Sequence, residues 1–230
     1  MGVDMLMKWL TLLAVVGLMQ SCATKGRPTN ASDYDTEALA PHMADDLVLM
    51  EKKIFEHPAL GTMLRYLDQS NPTDSITIYI YPIDKISWDN QQQTLNTELS
   101  RSLAEIDQAV VDGHYKAREQ ETISDFEFIT NEKLFSGKKA QLNIINQKNQ
   151  IFYSDIFLFV DKDKFIKFRT SFNGEQSHFW TGDQIVKSLL PGINVPPESR
   201  YMKNLRQAHR KKIQKQLYKL LMESSNKGSN

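Results

Sequence analysis

Hydrophobic residues recur along this chain in two rhythms, and each predicts its own kind of element. Between Asp89 and Val111, Leu95, Leu99, Leu103, Ile106 and Val110 return every three or four residues. That spacing lays one apolar stripe along a helix over 89–112, and Gly113 stands where a C-terminal cap belongs. Elsewhere the dominant pattern is short runs rich in β-branched and aromatic residues, bounded by turn formers. Two such runs, Ala59 to Leu67 and Ser75 to Tyr81, flank a turn-forming stretch from Asp68 to Asp74. Five more follow: Lys116 to Thr122, Phe126 to Thr130, Lys138 to Gln147, Gln150 to Val160 and Lys164 to Phe172. Lys148 and Asn149 supply a two-residue hairpin turn, and Asp161, Lys162 and Asp163 supply the next. Strands joined by links this short must run antiparallel. Asp45 to Phe55, with Leu47, Leu49, Met50, Ile54 and Phe55 apolar, permits one short helix or an extended lead-in and is read as helix. Asp183 to Leu190 predicts another, stopped by Pro191 and Gly192, with Val195 to Pro197 extended. A basic amphipathic helix is expected over 199–222 and a disordered polar tail over 223–230. The fold class is therefore α+β: an antiparallel sheet of about five to seven strands, one long packing helix, a short helix at 183–190 and the C-terminal basic helix.

The front of the chain follows a different pattern. One cation, Lys8, precedes an apolar run from Trp9 to Met19, which is followed by Gln20, Ser21 and Cys22, the single cysteine in the sequence. The run is too short for a bilayer span, which takes about 20 apolar residues, and it has the form of an export signal. Leu18, Met19, Gln20, Ser21 and Cys22 resemble the lipobox of bacterial lipoproteins, with Gln20 as a departure and Met19 in place of the more usual leucine. The resemblance implies cleavage between Ser21 and Cys22 and lipid on Cys22, with palmitate among the acyl chains. Two or more acyl chains anchor stably where one does not. Asp4 is unwelcome in a basic leading region, so Met7 competes with Met1 as the start. Ala23, where retained lipoproteins carry aspartate, implies passage to the periplasmic face of an outer membrane, given a Gram-negative source. The residues from 22 to 44, poor in large apolar side chains, then read as a flexible tether, and 45–198 as one globular domain.

Charge changes this picture little as a total and more as a distribution. Lys plus Arg equals Asp plus Glu, giving a formal net charge of zero and a pI near 7. There is no global field to draw nucleic acid, and none is expected as a partner. Locally, the charges between 32 and 56 are mostly acidic and those between 200 and 219 are all basic. Arg206, Arg210, Lys211 and Lys215 are the candidate contacts for an envelope protein or an anionic surface. A lone cysteine given to lipid leaves no intramolecular disulfide, so stability has to come from the core.

Leu60 and Gly61, Arg65 and Tyr66, Tyr79 to Ile83, Gly113 to Tyr115, Phe157 to Val160 and Phe165 to Arg169 resemble a group of uncharacterised bacterial envelope proteins. The order of strand pair, helix, antiparallel strands and helix is also similar to the α/β/α sandwich of the PsbP and Mog1 type. That resemblance implies a fold and binding or assembly roles, and no shared chemistry.

The search for chemistry yields no catalytic, cofactor or metal site. His42, His57, His114, His178 and His209 are scattered, and Glu175 with His178 lacks a third ligand. Asp161 and Asp163, alternating with Lys162 and Lys164, lack the twelve-residue pattern of a calcium loop and read as a solvated hairpin turn. No nucleophile elbow or phosphate-binding glycine loop is present. The aromatic residues from Phe152 to Phe172 read as core, and Phe179 with Trp180 falls outside strand alternation. The expected function is a membrane-anchored, non-enzymatic binding or assembly module. A carrier of a small apolar ligand and an unrecognised hydrolase remain as alternatives.

Overall fold

The computed structural model describes residues 40–69, 71–72, 74–175, 180–196 and 198–227. The export segment, Ser21, Cys22, most of the expected tether, His178 and Phe179 lie outside the described residues. Eight strands form one sheet: β1 (Met43–Ala44), β2 (Leu47–Ile54), β3 (Thr62–Asp68), β4 (Ser75–Pro82), β5 (Ala117–Thr130), β6 (Lys133–Ile145), β7 (Ile151–Asp161) and β8 (Lys164–Asn173). Their order across the sheet is β1-β2-β3-β4-β8-β7-β6-β5, and every neighbouring pair is antiparallel. Two four-strand meanders thus meet at β4 and β8, and helix α1 (Gln91–Val111) carries the chain from the centre of the sheet to its far edge. Helices α2 (Gly182–Leu189) and α3 (Arg200–Lys227) follow.

The pleat sorts side chains to two faces, and each face has its own core. On one, the α1 stripe of Leu95, Leu99, Leu103 and Ile106 lies against Leu142, Ile144, Ile156, Leu158 and Phe165. On the other, Ile185, Val186 and Leu189 of α2, followed by Ile193 and Val195, cover Leu64, Ile76, Ile78, Phe157 and Phe168. The aromatic residues of β7 and β8 are largely consumed here, Phe157 meeting Phe126 edge to face at 4.9 Å. The α1 side also encloses a polar strip. Tyr81 donates to Glu98 Oε1 at 2.6 Å, Arg101 donates to the same oxygen at 2.6 Å, and Lys167 reaches Ser102 Oγ at 3.1 Å.

Helix α1 starts where Asn90 caps Gln93 N–H at 2.9 Å and ends at Gly113, whose φ of 77° is the left-handed value a C-terminal cap needs. Gly61 serves a close approach. At φ 62°, a Cβ there would lie 1.9 Å from Ile80 O, so only glycine lets the turn before β3 press onto β4.

The structure corrects five expectations. The sheet has eight strands rather than five to seven. Residues 47–54, expected to be helical, are β2, because a short apolar run is ambiguous on its own and the ladder to β3 decides it. The expected strands at 116–122 and 126–130 are one strand, β5, paired along its length with β6. The link between β5 and β6 is a two-residue turn, Asn131 and Glu132, both at positive φ as a type I′ hairpin requires. The link between β6 and β7 runs over 146–150, with Lys148 and Asn149 at its tip and Asn146 Oδ1 accepting from Lys148 and Gln150 N–H. The fifth concerns Asp163. It is buried, not solvated, and its ion pair with the fully buried Lys164 is the junction on which the C-terminal segment is fixed. Lys164 also donates to Pro196 O at 2.9 Å, while Asp163 Oδ2 accepts from Ser199 N–H at 3.1 Å and its carbonyl from Ile83 N–H at 2.9 Å.

Candidate functional site

The sequence Thr181-Gly182-Asp183-Gln184 sets the geometry of an open cleft between α2 and the outer strands. Thr181 caps α2 by accepting from Gln184 N–H at 3.3 Å, and the Gln184 side chain returns to Thr181 N–H at 2.9 Å. This reciprocal cap fixes the first turn, and Ile185, Val186 and Leu189 hold the helix to the sheet below it. The first turn therefore stands at a defined height over β6, β7 and β8.

Three charged side chains from three elements converge there. Lys139 of β6, only 11% exposed, places its ammonium 2.5 Å from Asp183 Oδ1 and 5.1 Å from the centroid of Phe157. Asp155 of β7 pairs in register with Gln141 on one side and Thr170 on the other. Burial pushes the Asp155 carboxyl above the usual carboxylate range; the Lys139 charge pulls it back and the Asp183 charge adds to the rise. Gly182 makes the approach possible, since a Cβ there would lie 2.4 Å from Asp155 Oδ2 and 3.1 Å from Thr170 Oγ1.

The cleft has a volume of about 660 Å³, and its walls include Thr122, Gln141, Asn143, Tyr153, Trp180 and Asp183. That size lies within the range of about 300 to 1,000 Å³ typical of small-molecule sites. Two buried polar atoms at or beneath it have no partner among the described residues: Trp180 Nε1 and Thr170 Oγ1. Each such group costs free energy unless something polar meets it. Chemically, the cleft offers a committed cation, a carboxyl that accepts a proton readily, side-chain amides in Gln141 and Asn143, and three aromatic rings, Tyr153, Phe172 and Trp180. There is no surplus of positive charge for a phosphate, and among the described residues no three of His, Cys, Asp and Glu gather to hold a metal.

Of the residues singled out in the sequence, Trp180 falls in this cleft, together with Tyr153 and Phe172 from the aromatic stretch expected to be core. Cys22 and Ser21 lie outside the described residues. His42, His57 and His114 are exposed and far apart in the chain, and His57 Nδ1 accepts from Ala59 N–H at 3.2 Å. The basic helix divides in two. Its root is fixed: Met202 is buried, Tyr201 donates to Asp84 Oδ1 at 2.5 Å, and Arg206 pairs with Glu198 at 2.6 Å while lying 4.5 Å from the Trp88 ring centroid. From Lys211 to Met222 every residue is exposed, including Ile213, Leu217 and Leu220. So Arg206 is occupied within the fold, whereas Arg210, Lys211 and Lys215 face solvent. No helix among the described residues is long and apolar enough to cross a membrane.

Lys139, Asp155 and Asp183 were not legible as a group because they come from β6, β7 and α2. The one signal in the sequence able to point to them, not used in reading the chain, is local: a capping box, Thr181 to Gln184, whose second residue is glycine.

No protein-family model matches the chain, and no curated protein matches it. Among solved structures, the solution structure of cyanobacterial PsbP from Synechocystis sp. PCC 6803 is similar over 66% of this chain and 83% of that one, at 12% identity and a TM-score of 0.43. A likeness of that degree transfers neither a ligand nor an activity.

Proposed function

We propose that this protein is a non-enzymatic binding module of the cell envelope, tethered to the membrane by lipid on Cys22, and that it takes its ligand in the α2 cleft. The observation that carries the reading is the cleft itself: rigidly held polar groups, two buried polar atoms without partners among the described residues and three aromatic rings around open space. A carrier for a small apolar ligand would need an enclosed apolar cavity, and the aromatic side chains that could line one are packed as core. The export signal and lipobox-like residues support the address, with Ala23 favouring the outer membrane. Within this reading Arg210, Lys211 and Lys215 meet the anionic headgroups of the bilayer that holds the tether.

The hydrolase reading keeps one supporting observation, the Asp155 carboxyl raised beside Asp183, as a general acid would be. Binding without turnover is favoured because Asp183 is engaged by Lys139 and, among the described residues, no histidine and no carboxyl besides Asp155 and Asp183 lines the cleft.

The test is site-specific photo-crosslinking in living cells from position 143, in the cleft wall, and from position 214, on exposed α3. The expected result is a discrete adduct from 143 that is lost in a Gly182→Leu background. Adducts from 214 alone would remove the cleft reading. For the address, Cys22→Ala is expected to abolish palmitate labelling and release the protein from membranes; retention of both would overturn it.

A further inference from the structure

We infer that the ligand of the α2 cleft is a carbohydrate chain; this rests on the cleft being the binding site and adds the chemical class of what enters it. The lining excludes the other common classes one at a time. A phosphate or nucleotide needs uncommitted cationic or backbone donors, whereas Lys139 is held by Asp183 and packed over Phe157. A lipid chain needs an apolar bore, whereas Thr122, Gln141, Asn143, Asp155 and Asp183 interrupt the walls with polar groups. A nonpolar peptide side chain would offer no hydrogen bond to the polar groups of the walls.

A sugar ring suits what remains. One side of a pyranose is a patch of C–H bonds that stacks on an aromatic face, and its rim is hydroxyls that both donate and accept. Tyr153, 53% exposed, and Trp180 supply the aromatic surfaces, and the buried Trp180 indole N–H has no acceptor among the described residues. Gln141 and Asp155 are planar groups able to bind adjacent hydroxyls in pairs, and the carboxyl of Asp155, held above its usual range, serves as donor or acceptor. The cleft is open to solvent rather than closed over its contents, so a chain longer than the cleft can extend out of it.

Isothermal titration calorimetry on the soluble protein beginning after Cys22 provides the test, with chitotetraose, cellotetraose and maltotetraose as probes. At least one is expected to bind, with Trp180→Phe weakening it several-fold and Tyr153→Ala weakening it about tenfold, both variants retaining the wild-type melting temperature within a few degrees. Leu217→Gln on α3 is expected to change nothing. Chain length of the bound probe is followed in the same samples and is expected to stay constant. Failure of all three at millimolar concentration, while the in-cell adduct from position 143 still forms, overturns the carbohydrate assignment and leaves the cleft reading standing. Loss of that adduct as well removes both. Binding unaffected by either cleft variant also overturns the assignment.

Discussion

The α2 cleft and the outer half of α3 both present polar and apolar groups to solvent, and they do so on opposite terms. In the cleft, Lys139 and Asp183 hold each other, Asp155 sits in register between Gln141 and Thr170, and the capping box locks the turn above them. Along α3, Lys211, Lys212 and Lys215 and the apolar residues Ile213, Leu217 and Leu220 stand in solvent on all sides. Fixed groups around a void are the requirement for selective recognition, because little ordering entropy remains to be lost when the ligand arrives. Exposed cations on a projecting helix suit long-range attraction, which is screened within about 10 Å at 0.1 M salt. One region is built to discriminate and the other to attract.

The strongest way to break the comparison is to remove what roots α3. Lys164→Met leaves Asp163 buried and unpaired at the point where Ile83 and Ser199 are also tied. A loss of about 3 to 5 kcal/mol is expected, as for other buried pairs broken on one side, measured by chemical denaturation. A loss below 1 kcal/mol would show that the junction is not what fixes the C-terminal segment. Next comes Gly182→Ala, which sets a methyl against Asp155 Oδ2 and Thr170 Oγ1. Overpacking of this kind costs about 1 to 3 kcal/mol, and calorimetry should show ligand binding falling more than stability does.

Asp155→Asn sharpens the electrostatic side. Burial raises the Asp155 pKa, so the folded state holds that proton more tightly than the unfolded state does. Stability contributed by Asp155 is therefore greatest at low pH and declines as pH rises from the ordinary carboxylate value, about 4, through the raised one. The Asn variant should lack that decline and be more stable than wild type at pH 7 in thermal melts across pH. A profile parallel to wild type would mean Asp155 is not the titrating group. The smallest effect belongs to α3: Leu217→Gln with Leu220→Gln should shift stability by less than about 0.5 kcal/mol, since neither residue is packed. A larger loss would mean that the outer half of α3 is bound to the domain.

The regular parts of this fold were legible where the local pattern and the tertiary structure agree. The α1 stripe, β3, β4, β7, β8 and the start of α2 each fall within a few residues of the reading from sequence. β2 was misread because Leu47 to Met50 fits either period, and what makes it a strand is the exposed ladder of β3, which no local window contains. The β5–β6 hairpin was missed because Asn131 and Glu132 adopt positive φ without a glycine to announce it. Asp163 and Lys164 looked like a solvated turn since alternating charges usually are, and only the return of Pro196 and Ser199 onto them buries the pair. The cleft was legible only through Trp180. Its charged members are brought together by register across β6 and β7 and by the placement of α2, quantities that composition and periodicity do not carry.

Amide chemical-shift mapping by NMR on the soluble protein, titrated with the best-binding oligosaccharide or with a solubilised envelope glycan digest, tests the central claim most directly. Perturbations confined to the neighbourhood of Lys139, Gln141, Asp155, Trp180 and Asp183, with residues 211–222 unmoved, are the expected result. Shifts gathered on α3 with the cleft silent would contradict it.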